Sequence, residues 1–348
     1  MPTQAQGWGT EAADQPLKRM TIERRSLRPE DVAIAISHCG ICHSDLHQAR
    51  NDWGGSHYPM VPGHEIAGTV TDVGSAVTSY QAGDRVAVGC IVDSCQQCSE
   101  CSAGNEHFCL DGMTGTYNGR DRVDGSLTMG GYSEQIVVRE QFVCRIPDQL
   151  DIARAAPLLC AGITTYSPLR RFGVGPGQKV AIAGLGGLGH MGVKFAAAMG
   201  AHVTMITTSP QKGDDARALG ADEILLSTDK AAMKAASGRF HFVLDTIPVA
   251  HDVQPYLGLL RAQGTLVLVG AIAPLPSIHG GKLVMGNKML AGSLIGGITE
   301  TQEMLDFCAE HDIHPEVETI RMDEINQAFD RMEKGDVRYR FVIDMAAA

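Results

Sequence analysis

The chain has 348 residues, of which 44% are hydrophobic and 20% charged, a balance that suits a globular protein with a core of its own and leaves room for two domains at ~150 residues each. Its formal net charge of −11 speaks against nucleic acid or an anionic membrane surface as the main partner. No apolar run approaches the ~20 residues that a membrane span needs, and residues 1–14 lack the apolar stretch of a secretory signal, so the expected compartment is the cytoplasm. In that reducing setting, ten cysteines point to metal ligation rather than disulfides.

Residues 1–17 read as a loose N-terminal arm. Residues 32–36, Val-Ala-Ile-Ala-Ile, read as a strand after the Pro29-Glu30-Asp31 turn. The run from Cys39 to His47 follows, with a thiol, two imidazoles, a hydroxyl and a carboxylate between Cys42 and His47. Packing alone does not call for that density of ligand and proton-carrying groups. Residues 65–70 and 85–88 are further strands, with Gly74 and Ala82-Gly83-Asp84 as turns. Many short strands with glycine turns predict a partly barrel-like β region. Cys42, then His64 in Gly63-His64-Glu65, then Cys160 far downstream make a Cys₂His set. Catalytic zinc uses such a set when its fourth position stays open for water or substrate.

Cys95, Cys98, Cys101 and Cys109 fall within fifteen positions. Two-residue spacings suit knuckle-type turns around a closed, four-sulfur structural zinc. The alternatives, ordinary thiols or two disulfides, fit a cytoplasmic chain less well. Residues 111–131 form a glycine-rich polar loop with no legible function.

From about Ala153 the pattern changes to alternating strand and helix. The apolar run 179–183 leads into Gly184-Leu185-Gly186-Gly187-Leu188-Gly189 and a helix over 190–199, stopped by Gly200. This is a GxGxxG turn between strand and helix, where the glycines admit a tight bend and a dinucleotide's pyrophosphate meets a helix N-terminus. The next strand, 202–207, ends in Thr207-Thr208-Ser209-Pro210-Gln211-Lys212. NAD binders place a carboxylate there for the ribose hydroxyls. Hydroxyls and Lys212 instead favour a 2′-phosphate, and hence NADP(H), although Pro210 also suits the opening of a helix. Strands at 242–245 and 265–270 continue the sheet. Residues from about Ser293, with Gly296-Gly297 and a last strand at 339–344, return to the first domain. The expected division is 1–153 with 293–348, and 154–292.

Taken together, GICHSDLH at 40–47, YPMVPGHEIAG at 58–68, the four cysteines, LLCAGITTYSPL at 158–169, GLGGLGHMGVKFA at 184–196 and RYRFVID at 338–344 resemble the zinc-dependent medium-chain alcohol dehydrogenases. The resemblance is to their cinnamyl-alcohol-dehydrogenase-like branch, which includes NADPH-dependent aldehyde reductases. It implies a GroES-like, partly open β-barrel catalytic domain and a Rossmann domain with a doubly wound parallel sheet. It further implies that Cys42, His64 and Cys160 bind catalytic zinc, that Glu65 is a transient ligand, and that Asp45 orients His64. Ser44 would hydrogen-bond the substrate oxygen, and His47 would end a proton relay through the nicotinamide ribose. His43 and Arg340 would meet the pyrophosphate, Thr164 would lie near the nicotinamide, and the backbone of Val269-Gly270-Ala271 would hold its carboxamide. A homodimer joined through the cofactor domains is expected of the family.

Ser44 also suits a helix N-cap, and His47 a surface position. Cys39, Cys90, Cys144 and Cys308 read as small buried hydrophobes, and His190 and His241 as structural or exposed. Trp53 and Ile91 are candidate pocket residues, with plain packing the alternative. The implied reaction interconverts aldehydes and primary alcohols with NADP(H). An NAD-linked alcohol or polyol dehydrogenase and a catalytically inactive zinc-bearing scaffold are the competing expectations.

Overall fold

A computed structural model of the chain describes residues 2–270 and 273–347. The chain divides into two compact units, one of Met1–Ile163 with Gly296–Ala348 and one of Thr164–Ile295. The first break therefore falls after Cys160 rather than near Ala153.

The first unit is built on a seven-stranded sheet. Its path runs Val317–Arg321, Arg340–Asp344, Asp31–Ile41, Ile66–Val73, Arg85–Val88, Cys144–Arg145, and Gln135–Arg139 also pairs with Asp31–Ile41. In Asp31–Ile41 the residues Val32, Ile34 and Ile36 alternate with alanines, and all three are buried. That period of two puts one face inward, and each fully buried aliphatic side chain contributes about 1.5–3 kcal/mol. The last residues of this strand pair with Arg340–Asp344, from Phe341↔Ile41 to Asp344↔His38. The end of the chain thus lies beside the strand that delivers Cys42.

The N-terminal segment is not a loose arm. Thr3–Gly9 pairs antiparallel with Lys18–Arg24 along its whole length. It also meets the rest of the unit through Trp8 N–H to Tyr132 carbonyl at 2.8 Å and Thr10 N–H to Met60 carbonyl at 2.8 Å. The run Gln-Ala-Gln-Gly-Trp has almost no apolar pattern, so its partners rather than its composition make it a strand.

The loop at 111–131 braces the unit. Arg28 forks onto Asp121 with contacts of 2.9 and 3.0 Å. Gly130, Gly131 and Tyr132 then donate backbone N–H groups to Val61, Gly63 and Pro62. A Cβ on Gly130 would lie 2.4 Å from the Pro62 carbonyl, and one on Gly131 2.3 Å from Ile66, so only glycine permits this approach. Buried Arg24 ties the same turn with Nη2 to the Gly130 carbonyl at 2.8 Å and to Ser133 Oγ at 2.6 Å. Burial pulls its guanidinium down to about 9.

The second unit carries a parallel six-stranded sheet in the order Glu223–Leu226, His202–Thr207, Lys179–Ala183, Phe240–Asp245, Leu260–Leu268, Met289–Gly292. This is the doubly wound order, with its reversal between Lys179–Ala183 and Phe240–Asp245. Val180, Ala181, Ile182 and Ala183 are fully buried, as a strand covered on both faces requires. Among the described residues no helix is long and apolar enough to cross a membrane.

Replacing Arg24 by Met keeps bulk but leaves the carbonyls around Gly130 unpaired. Such charge-assisted bonds are worth roughly 1.5–3 kcal/mol, so R24M should lower the melting temperature in calorimetry; an unchanged melt would show that the 129–133 turn is held by its backbone alone.

Candidate active site

The site begins where the central strand stops. Cys42 is the N-cap of the short helix His43–Ala49, which puts Asp45, Ser44 and His47 on its first turns. Asp45 is fully buried and accepts four hydrogen bonds. They come from Cys42 N at 2.9 Å, Gly63 N at 3.0 Å, His64 Nδ1 at 2.9 Å and Tyr132 Oη at 2.9 Å. A carboxylate buried this completely needs hydrogen bonds to replace the water it has lost. With Nδ1–H given to Asp45, His64 keeps Nε2 as a lone-pair donor, the arrangement of a metal-bound imidazole.

Cys42, His64, Glu65 and Cys160 are all buried, and one ligand atom from each lies within 4.8 Å of the others. The two sulfurs are 4.0 Å apart. The Cys160 thiol beside it holds the Cys42 thiol well below its ordinary value, against the effect of burial. Glu65 pairs with the buried guanidinium of Arg340, while its Oε2 is buried with no hydrogen-bond partner. Burial pushes this carboxyl up to about 7, and Arg340 opposes the rise. Two thiols, an imidazole and an unsatisfied carboxylate oxygen, gathered in one buried cluster, suit a zinc ion.

The four cysteines at 95–109 form a second cluster within the same distance limit. Their sulfurs accept backbone N–H groups: Cys98 N to Cys95, Cys101 N and Leu110 N to Cys98, and Cys95 N to Cys109, at 3.4–3.5 Å. Such donors stabilise thiolates, and those from Cys101 and Leu110 hold Cys98 down at about 6. Four converging sulfurs with this backbone support fit a tetrahedral zinc closed by protein on every side.

Ser44 Oγ lies 3.7 Å from the Cys42 sulfur. His47, one turn further, has Nδ1 2.8 Å from Asp52 Oδ2 and its ring centroid 5.2 Å from that of Trp53. His43 is exposed, with its ring 6.3 Å from His47. Ile91 is buried at the start of the strand Ile91–Asp93. Arg340, expected at a pyrophosphate, has Glu65 as its partner here. Cys39, Cys144 and Cys308 are buried, as small hydrophobes should be. Cys90 is half-buried against the Cys160 thiol, which lowers its own pKa, so it belongs to the metal cluster's surroundings rather than to the core.

In the second unit Gly184 has φ +93°, and a Cβ on Gly189 would lie 1.8 Å from the Gly184 carbonyl, so the turn Gly184, Gly186, Gly187, Leu188, Gly189 can close only with glycines at both ends. His190, read as structural, is fully buried with Nδ1 3.2 Å from the Gly186 carbonyl. Lys212 reaches this turn from the end of the second strand, with Nζ 3.3 Å from the Leu185 carbonyl. Thr207 is buried and takes Ser209 N–H at 3.2 Å, and Thr208 is exposed. His241 is not free either: it accepts Lys179 N–H at 3.0 Å. Thr164 is buried in the helix Ala161–Arg171. Val269 donates to the Asp245 carbonyl at 3.0 Å, Gly270 follows it, and Ala271 lies outside the described residues.

Sequence reasoning missed Tyr132 and Asp52. Tyr132 and Asp45 are 87 positions apart, and no spacing rule connects them. Asp52 lies five residues after His47, beyond the end of the helix, where helical periodicity no longer predicts a contact.

Residues 28–148 match the alcohol dehydrogenase GroES-like domain and residues 187–310 the zinc-binding dehydrogenase domain. An aldehyde reductase of Escherichia coli is 55% identical over 338 residues, 97% of each chain. A cinnamyl alcohol dehydrogenase of Sorghum bicolor has a TM-score of 0.96 at 45% identity, covering 99% of both chains. The cinnamyl alcohol dehydrogenase of Helicobacter pylori, solved with NADP(H), has a TM-score of 0.94 at 41% identity over all of both chains. With that likeness along its whole length, the chain belongs to the zinc-dependent medium-chain alcohol dehydrogenases, in the branch of the cinnamyl alcohol dehydrogenases.

Proposed function

We propose that this alcohol dehydrogenase reduces aldehydes to primary alcohols with NADPH, reversibly, at a zinc held by Cys42, His64 and Cys160. The observation that carries this reading is the buried cluster of two thiols and an imidazole oriented by Asp45. When bound, zinc supplies Lewis acidity at the substrate oxygen and NADPH supplies the hydride. The chain does the rest. Asp45 keeps the His64 ring turned and its Nδ1 protonated. Two thiolates and a neutral imidazole leave the site near zero net charge, so an oxygen anion is stabilised without being trapped. Glu65 holds a spare oxygen beside the ligands, and Arg340 offsets its charge.

Ser44 donates to the substrate oxygen, and His47 is the outer end of the proton path. Asp52 sets the tautomer of His47 through Nδ1 and leaves Nε2 to exchange the proton. Trp53, its ring tilted beside that of His47, and buried Ile91 line the substrate side.

Cofactor binding falls to the second unit, with Thr164 and the backbone of Val269 and Gly270 at the nicotinamide. The Gly184–Gly189 turn takes the pyrophosphate. Thr207, Thr208, Ser209 and Lys212 take the 2′-phosphate. The support is chemical: hydroxyls and an ammonium at the strand end, with Lys212 folded back over the turn. Cys95, Cys98, Cys101 and Cys109 hold a structural zinc. Two copies join through the Met289–Gly292 edge strand, whose neighbourhood exposes Val284, Met285, Met289 and Leu294.

The test is loss of nicotinamide absorbance on mixing the protein with cinnamaldehyde and NADPH or NADH. Rapid loss with NADPH alone is expected, and activity confined to NADH, or to oxidation of secondary alcohols or polyols by NAD+, would replace this reading with the NAD-linked one. In the same assay K212A should raise the KM for NADPH by tenfold or more, as loss of one charged phosphate contact implies, and change NADH little; equal losses would remove the 2′-phosphate assignment. C160A should abolish turnover, lower bound zinc from two to one per chain and leave NADPH binding intact, and unchanged zinc content would refute the ligand set. Light scattering should give twice the 37.1 kDa chain mass; a monomer would rule out the edge-strand dimer.

A further inference from the structure

The second unit holds an acid–histidine pair, a buried Asp245 and a half-buried His251, that the proposed reaction does not use. Asp245 ends the strand Phe240–Asp245 and is 1% exposed. Its Oδ1 accepts Ile247 N–H at 3.1 Å and its Oδ2 lies 2.8 Å from His251 Nε2. The other ring nitrogen of His251, Nδ1, lies 2.8 Å from the Val249 carbonyl. A carbonyl oxygen can only accept. Nδ1 therefore donates, and a neutral imidazole would then turn a bare Nε2 lone pair towards a carboxylate. The geometry is satisfied only if the pair carries one further proton, on Nε2 or on the carboxyl. Burial, which pushes the Asp245 carboxyl above its ordinary range, works in the same direction. The Tyr256 ring stands edge-on to His251 at 5.7 Å between centroids, and no other charged side chain faces the pair among the described contacts.

What this pair holds is the loop between Asp245 and Val253. Its first residues sit at the meeting point of three segments. Thr246 Oγ1 donates within reach of both the Ala183 and Gly184 carbonyls, at 2.9 and 3.0 Å. A Cβ on Gly189 would come within 3.1 Å of that hydroxyl. A Cβ on Gly270 would lie 2.6 Å from the Ile247 carbonyl. The loop is thus wedged between the glycine turn and the end of the next strand. In the doubly wound order Phe240–Asp245 is the first strand after the reversal, and so opens the second mononucleotide-binding half. The first half takes the adenosine end of a dinucleotide, which leaves the nicotinamide end for this one.

We propose that His251 and Asp245 form a proton-sharing clamp that positions the 246–252 loop for the nicotinamide half of the cofactor. His251 is a positioning residue, acting through Asp245 and the backbone of Thr246 and Ile247. This rests on the NADP(H) reading above. It predicts that loss of the clamp weakens binding of the whole cofactor and spares its adenosine half.

The experiment uses the zinc-replete full chain. NADPH is titrated by the fluorescence of its bound nicotinamide, and adenosine 2′,5′-bisphosphate by calorimetry. H251F keeps ring volume against Tyr256 but makes neither hydrogen bond, and H251Q retains an amide donor for Asp245. The expected result is an NADPH Kd raised about tenfold in H251F, the effect of one charge-assisted hydrogen bond. The bisphosphate Kd should stay unchanged, the KM for NADPH should rise more than kcat falls, and H251Q should recover most of the loss. An unchanged NADPH Kd in H251F, or equal weakening of NADPH and the bisphosphate, would overturn the clamp. So would an H251F chain that does not fold, because a positioning role leaves the sheet intact. If the wild-type chain binds no NADPH, the NADP(H) reading itself falls, an outcome distinct from wild type and variant binding alike.

Discussion

The buried carboxylate of Asp45 is the constraint on which the catalytic half depends. Its four donors come from the end of the central strand, from the turn carrying His64 and from the segment after the long loop. A polar group at zero exposure costs roughly 1–3 kcal/mol for each such bond lost without replacement. One side chain thereby fixes the helix that presents Ser44 and His47, the ring plane of His64 and the position of Tyr132. The glycines at 130 and 131 follow from it, because Tyr132 reaches Asp45 only if the backbone before it lies flat against Pro62 and Gly63. Arg24, on a strand near the N-terminus, in turn keeps that backbone in place.

The two units were not equally legible. In the second, hydrophobic runs coincide with buried parallel strands, and the spans at 179–183 and 202–207 are those the residues suggest. A strand covered on both faces writes itself as an uninterrupted apolar run. The first unit relies on partners remote in sequence. Thr3–Gly9 carries no pattern of its own and becomes a strand because Lys18–Arg24 lies alongside. Metal spacing could be read at Cys95, Cys98, Cys101 and Cys109, since those ligands are local. The cluster of Cys42, His64 and Cys160 was legible as a set of types only, and the side chains supporting it were not, because Asp45–Tyr132 and Glu65–Arg340 are contacts across 87 and 275 positions.

The same distinction separates the supports of the cofactor turn. The glycine pattern is visible because backbone approach admits one residue type. The roles of the second unit's histidines are not, because a histidine can serve as ligand, base, cap or strut. His190 on the Gly186 carbonyl, His241 on the Lys179 amide and His251 on Asp245 are told apart only by which atoms their nitrogens face.

The placement of Arg340–Asp344 has a consequence for how the chain is made. That strand is interior, between Val317–Arg321 and Asp31–Ile41, and Arg340 is the counter-charge for Glu65. It is made after both of the strands that it pairs with. The Thr164–Ile295 unit is continuous in sequence and can fold while synthesis proceeds. The unit holding both cysteine clusters cannot close its sheet until residues 340–344 emerge. Until then the Glu65 carboxyl and the thiols beside it have neither their arginine nor a finished wall around them. Metal capture at the two clusters is therefore expected to be ordered in time: the four-cysteine loop, whose ligands are local, can bind early, and the Cys42 site is completed only after residues 340–344 have been made.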